Sequence, residues 1–145
     1  MKLSELFRSE VVTAQPDDTI RQATQKMKEK DVGAVVIVEN EKVAGILTDR
    51  DVALKVVAGN VSPDSPVSEV MTKKVVTIWD DEGVFNATQY LSGNKCRRLP
   101  IIQREGSLGE GPLVGILSSD DLVAMLAREL FNVARVLEPA LGERV

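Results

Sequence analysis

Apolar and polar positions along this chain repeat with two periods, one helical and one strand-like, and the whole pattern occurs twice. Ile20, Ala23 and Met27 fall at helical spacing and predict a helix over about 18–30. The β-branched run Gly33-Ala34-Val35-Val36-Ile37-Val38 predicts a buried strand. Glu39-Asn40-Glu41-Lys42 reads as a tight turn and Val43 to Leu47 as the partner strand. A helix over about 49–58 follows, ended by Gly59-Asn60. A short strand at about 11–13 precedes them all. The second series has a strand at 75–77, a helix at 82–92 stopped by Gly93-Asn94, strands at 98–102 and 113–117, and a helix from 119. Each series is therefore β-α-β-β-α. In the last helix Leu122, Leu126, Leu130, Val133 and Leu137 form one apolar stripe, which predicts a helix to about 137 that Pro139 ends. The stripe fits either the core or an oligomer interface, and Leu3, Leu6 and Phe7 fit the same surface.

The two series align as a duplication. Val11-Val12-Thr13 recurs as Val75-Val76-Thr77 and Ala23-Thr24-Gln25 as Ala87-Thr88-Gln89, an offset of 64 at which Asp17 meets Asp81 and Ile37 meets Ile101. Gly45-Ile46-Leu47-Thr48 recurs as Gly115-Ile116-Leu117-Ser118, and Asp51 as Asp121, at an offset of 70. The six additional residues fall in Gln103 to Pro112, whose glycine and charge predict an exposed loop. The expected organisation is an N-terminal helical extension at 1–10, a first repeat at 11–59, a linker at 60–74, a second repeat at 75–130, and a helix end and tail at 131–145. Asn60 to Pro66 reads as a turn-rich connection and Val67 to Met71 as a short helix. Halves of about 60 residues bury little core alone. The expected fold is therefore α+β, with two β-α-β-β-α repeats packed through their sheets about a pseudo-twofold axis.

Composition removes several function classes. Hydrophobic residues make up 43% of 145 residues, an ordinary globular share. The longest purely apolar run, Ala34 to Val38, falls far short of the ~20 residues a membrane helix needs. The N-terminus breaks its apolar residues with charge, unlike a signal peptide. Eighteen basic and 22 acidic residues give a net charge of -4, which argues against nucleic-acid binding. One cysteine, Cys96, excludes an intrachain disulfide and fits a reducing cytoplasm. With no histidine, Ser-His-Asp and Cys-His catalysis and histidine metal ligation are excluded.

The candidate chemistry sits at the duplicated strand ends, Gly45-Ile46-Leu47-Thr48-Asp49-Arg50-Asp51 and Gly115-Ile116-Leu117-Ser118-Ser119-Asp120-Asp121. Structurally, Thr48 and Ser118 are N-caps, with Asp51 and Asp121 completing acidic capping boxes. Functionally, a helix N-terminus and an adjacent hydroxyl suit phosphate, and the carboxylate suits both hydroxyls of a ribose. One residue can serve both roles. Lys73-Lys74 reads as a solvated turn, and Asp17-Asp18 and Asp80-Asp81-Glu82 as solvated helix starts. Trp79 and Tyr90 fit core or interface, and nothing nearby activates Cys96. The chain has no phosphate-binding Walker loop and no dinucleotide glycine fingerprint.

These paired motifs resemble a tandem pair of CBS domains, the cystathionine β-synthase type module. Ser65 to Thr72 and Arg97-Arg98-Leu99-Pro100-Ile101-Ile102 carry the resemblance too, over about residues 4–130. It implies a regulatory module binding AMP, ADP, ATP, S-adenosylmethionine or an NAD-type ligand in two clefts between the repeats, with no obligatory cofactor. By the same resemblance, Asp51 and Asp121 hold ribose, and Thr48 and Ser118 lie near ribose or phosphate. Ile46 and Ile116 flank adenine, whose edge is read by backbone near Thr13 and Thr77. Gly33-Ala34 and Arg97-Arg98 begin the strands that approach the ligand. Arg97 or Arg98 binds phosphate or forms a salt bridge. Asp120 stands in this set where the first copy has Arg50, so the two clefts differ in charge. A homodimer is implied, as is signalling to a separate protein target. The alternative is a structural dimerisation module with empty clefts. An enzyme is disfavoured because no catalytic set stands out.

Overall fold

The computed structural model describes residues 2–7, 9–105 and 109–142. Two three-stranded sheets carry the architecture. In the first, β1 (Thr13–Ala14) lies parallel to β2 (Ala34–Glu39), which pairs antiparallel with β3 (Lys42–Thr48). In the second, β4 (Ile78–Trp79), β5 (Arg98–Glu105) and β6 (Gly109–Ser118) repeat that order and sense. Ala14 pairs with Ile37 and Ile78 with Ile101, so the pairing register obeys the 64-residue offset. The helices are α1 (Leu3–Leu6), α2 (Ile20–Lys30), α3 (Asp49–Asp51), α4 (Val84–Asn94) and α5 (Ser119–Gly142). A π-wound turn at Val52–Val57 continues α3.

Alternation along the strands sets the layers. Val35 and Ile37 of β2 join Ile20, Ala23 and Met27 of α2 in one core. Leu99 and Ile101 of β5 join Ala87 and Leu91 of α4 and Leu122 of α5 in the other. Strand neighbours point to opposite faces. Val36, Pro100 and Ile102 are nonetheless buried as well. They fill the layer where the sheets face each other, with β3 against β6. Two buried faces per central strand account for the unbroken apolar runs at Ala34 to Val38 and Leu99 to Ile102.

Each repeat is completed by a segment from before the other. Leu3 is fully buried in the second core, where Phe7 also packs. Val67, Val70 and Met71 complete the first. Leu3-Ser4-Glu5-Leu6-Phe7 and Val67-Ser68-Glu69-Val70-Met71 stand at the same 64-residue offset, so the duplication begins earlier than Val11. Leu3 and Phe7 thus belong to a core rather than to an oligomer surface. The N–H groups of Leu3 and Ser4 donate to the carbonyls of Glu82 (2.9 Å) and Asp80 (3.1 Å), fixing the segment against the second repeat.

Several boundaries differ from the sequence pattern. Val75 to Thr77 lies just ahead of β4 and is half-buried without a strand partner. Likewise β1 takes up only Thr13 of the 11–13 segment, since each of these strands has a neighbour on one side alone. Gly93 and Asn94 remain in α4, and Lys95 takes the left-handed C-cap at φ 50°, as Asp31 does for α2 at φ 52°. The cap is set by its place in the repeat rather than by glycine. The expected loop at 103–112 is largely ladder: Arg104 pairs with Glu110 and Glu105 with Gly109. Residues 106–108 lie outside the described residues. Helix α5 continues past Pro139 to Gly142, although proline brings no N–H to the ladder.

Candidate functional site

A cavity of about 190 Å³ opens where the repeats meet. Val12, Gly33 and Ala34 of the first repeat form one wall, and Arg98, Ile116, Ser118 and Asp121 of the second form the other. Ser9, Glu10 and Val11 border it. Gly33 and Ala34 reach it because β2 begins there, paired with the end of β3 through Ala34 and Thr48. Arg98 and Ser118 occupy the matching paired positions in the second sheet.

Ser118 and Asp121 form a closed reciprocal pair. The Ser118 backbone N–H donates to Asp121 Oδ2 at 2.9 Å and its hydroxyl donates to the same oxygen at 2.7 Å. The Asp121 N–H donates back to Ser118 Oγ at 3.0 Å. Asp121 Oδ1 has no hydrogen-bond partner among the described residues. Thr48 and Asp51 repeat the cap, with N–H to Oδ2 at 3.0 Å and the return bond at 3.1 Å. Here Asp51 Oδ1 is already paired with Lys55 Nζ at 3.2 Å. The capping role of both motifs is therefore present in the folded chain, and only Asp121 keeps an open oxygen.

The two arginines diverge. Arg97 points to solvent and pairs with Asp120 at 3.4 Å, an exposed pair worth little. Arg98 turns into the cavity beside Gly33, where a Cβ would lie 3.1 Å from its Nη2 and 3.2 Å from Asp49 Oδ2. The guanidinium and the carboxylate crowd the same point, so a side chain here would make both give by a few tenths of an ångström. Arg98 makes no ion pair closer than 4 Å among the described residues, although the Asp49 carboxylate stands beside the same glycine.

The remaining candidates fall elsewhere. Thr13 is not in the cavity wall, and its carbonyl accepts from Lys26 Nζ at 2.8 Å. Thr77 is half-buried ahead of β4. Ile46 exchanges backbone hydrogen bonds with Thr72 at 3.1 and 2.9 Å, which brings Lys73-Lys74 past the edge of β3, where both are exposed. Asp80 and Asp81 are structural acceptors for Arg104, at 3.0 and 2.9 Å. Arg104 also lies over the Trp79 ring, 4.6 Å from its centroid. Burial pushes the Cys96 thiol up from its ordinary value. The wall residues Val11 and Val12 and the neighbouring Glu10 were not among the sequence candidates. Their signal is position alone, since they precede a strand that passes the junction.

Comparison with known proteins gives a consistent result. The family model "CBS domain" matches residues 3–58 and 67–128. The CBS domain-containing protein YhcV of Bacillus subtilis is 35% identical over 120 residues, which cover 83% of this chain and 81% of YhcV. The CBS domain pair of protein MJ0100, solved with 5'-methylthioadenosine and S-adenosyl-L-methionine, superposes with a TM-score of 0.76 at 22% identity, over 89% of this chain and 98% of that one. The CBS domain protein PAE2072 of Pyrobaculum aerophilum, solved with AMP, superposes with a TM-score of 0.74 at 23% identity, over 84% and 90%. At these identities the two structures speak for the fold. Among the described residues, no helix is long and apolar enough to cross a membrane.

Proposed function

The chain belongs to the CBS domain family, and we propose that it is a non-catalytic regulatory module that binds an adenosine-containing ligand in the cleft at Asp121 and signals to a separate protein. The observation that carries this reading is that Asp121, whose Oδ1 has no hydrogen-bond partner among the described residues, lines one cavity with Arg98. A carboxylate with one open oxygen accepts ribose hydroxyls, and a guanidinium binds phosphate in bidentate fashion. Ile116 and Val12 supply apolar surface for adenine. Ligand sites commonly measure ~300–1,000 Å³. A cavity of 190 Å³ is smaller than that, so binding requires Ser9–Val11 to give way or leaves part of the ligand outside on the Arg98 side. The adenosyl ligands of MJ0100 and PAE2072 support the same class, which spans AMP, ADP, ATP, S-adenosylmethionine and NAD-type molecules.

We further propose that the chain forms a homodimer through α5. Val123, Leu126, Leu130, Val133 and Leu137 stand at alternating three- and four-residue spacing, and all are more than half exposed. That spacing is a seam for a second helix. The distal part of the stripe read from the sequence is therefore solvent-facing in one chain, and only Leu122 enters the core.

Thermal unfolding of nucleotide-stripped protein with AMP, ADP, ATP, S-adenosylmethionine or NADH tests the binding reading. A ligand at 100 times its dissociation constant adds about 2.7 kcal/mol, a shift of several degrees. The shift should disappear in a folded D121A variant. No shift with any of them would leave a structural dimerisation module.

A further inference from the structure

We propose that Lys55 acts as an internal occupant of the Asp51 carboxylate, so that the chain binds one adenosyl ligand rather than two; this rests on the adenosyl-ligand reading above. The duplication supplies its own control. Both repeats build the same hydroxyl-carboxylate cap with nearly the same bond lengths, 3.0 and 3.1 Å at Thr48 and 2.9 and 3.0 Å at Ser118. Among the differences between the two motifs, the one that touches the carboxylate is the residue four positions further on, Lys55 in the first repeat and Met125 in the second.

The chemistry follows from what a ribose needs. Its two vicinal hydroxyls donate to a carboxylate, and one oxygen in each motif is already committed to the cap. At Asp51 the other oxygen faces the Lys55 ammonium at 3.2 Å, and the aspartate side chain is only 17% exposed. Lys55 Nζ also donates to the Val70 carbonyl at 3.0 Å. The ammonium is therefore held from both sides, by the carboxylate and by the segment that completes the first core. A ribose would have to displace this ion pair with two neutral hydroxyls, taking the counter-charge from a carboxylate that is largely shielded from water and leaving the ammonium, on a side chain 44% exposed, with the Val70 carbonyl as its protein partner. At Asp121 nothing comparable stands in the way, because Met125 carries no charge.

Isothermal titration of the full-length protein with AMP, S-adenosylmethionine, 5'-methylthioadenosine and ATP tests this. The expected stoichiometry is one ligand per chain. Lys55→Met, which installs the residue of the second repeat, should raise it to two, and adding Asp51→Asn to that variant should return it to one. In the opposite direction, Met125→Lys should weaken the existing site at least tenfold, and because Met125 packs partly against the second core its affinity is compared with that of Met125→Gln, which makes the same packing change without the charge and should keep the site. If Lys55→Met fails to fold, Met125→Lys alone decides. Two ligands bound by the wild-type chain, or undiminished affinity in Met125→Lys, would overturn the role of Lys55 and leave the binding reading intact. Binding of none of the four ligands would overturn both.

Discussion

Gly33 and Arg98 meet across the junction of the two repeats, where a Cβ on the glycine would lie 3.1 Å from the guanidinium Nη2. The neighbour is the far end of a flexible side chain, so Gly33→Ala should preserve the fold, with a stability change within about 0.5 kcal/mol. The guanidinium must give way, however. Affinity for a phosphorylated adenosyl ligand should fall several-fold, while a ligand without phosphate should be affected less. Calorimetric titration with AMP and 5'-methylthioadenosine reads the difference, and equal losses for both would detach Arg98 from phosphate binding.

Gly115 makes a different kind of contact. A Cβ there would overlap the carbonyl of Phe7, which is backbone and has no easy retreat. Gly45 is its counterpart, with the Thr72 carbonyl at 3.0 Å and the Met71 side chain closer still. Alanine at either position should cost about 1–3 kcal/mol by overpacking. Urea unfolding measures the cost. Limited proteolysis should show earlier cleavage within residues 2–12 for Gly115→Ala and within 60–75 for Gly45→Ala.

Leu3 is fully buried against the second core although it lies more than seventy residues before that repeat's first strand. Leu3→Ala should therefore cost about 2–5 kcal/mol, the range for a buried leucine. A surface leucine in a loose extension would cost almost nothing. Chemical denaturation followed through Trp79, in the second sheet, distinguishes the two.

The caps separate stability from binding. Thr48→Ala and Ser118→Ala should each cost about 0.5–2 kcal/mol. Ser118→Ala also removes the 2.7 Å hydroxyl bond that orients Asp121. It should weaken adenosyl-ligand binding, whereas Thr48→Ala should leave the affinity of the Asp121 cleft unchanged. Paired melting curves and titrations provide the comparison.

Burial raises the Cys96 thiol above its ordinary value of 9.0, while its backbone hydrogen bonds oppose this. The folded chain therefore holds its thiol proton more tightly than the unfolded chain. This contribution to stability is fully present below pH 9.0 and is lost as pH rises through the folded value. Cys96→Ser should flatten the decline in stability above pH 9. Alkylation of native Cys96 by iodoacetamide at pH 8 should be slower than that of the urea-unfolded chain.

Much of the fold is legible in the sequence because duplication prints each element twice. The 64-residue offset holds from the strand pairing of Ala14 and Ile78 to the left-handed caps at Asp31 and Lys95. The hydroxyl-carboxylate motifs are legible because capping and binding ask for the same residue types. The exchange of Leu3 to Phe7 with Val67 to Met71 is harder to see, because only the Ser-Glu pair is identical and the apolar residues differ in size. The hairpin extension beyond Ile102 carries glycine and charge, which in an isolated sequence point to a loop. Nor does spacing tell Arg97 from Arg98: strand alternation sends one to solvent and one to the cavity, and the phase is fixed only by the pairing of Arg98 with Ser118. The Lys55 contact was within reach, since four residues along a helix brings an ammonium onto an aspartate.

The placement of Leu3 also bears on the order in which the chain matures during synthesis. Residues leave the ribosome at about 5–20 per second, N-terminal ones first. The first repeat has all its core residues once Met71 has emerged. Leu3 and Phe7 must wait for Leu117 and Leu122 at the far end of the second repeat. The nascent chain thus carries the Leu3–Phe7 segment without its partners while every core residue of the first repeat is already present, and that segment finds its place only when the end of the second repeat has been made.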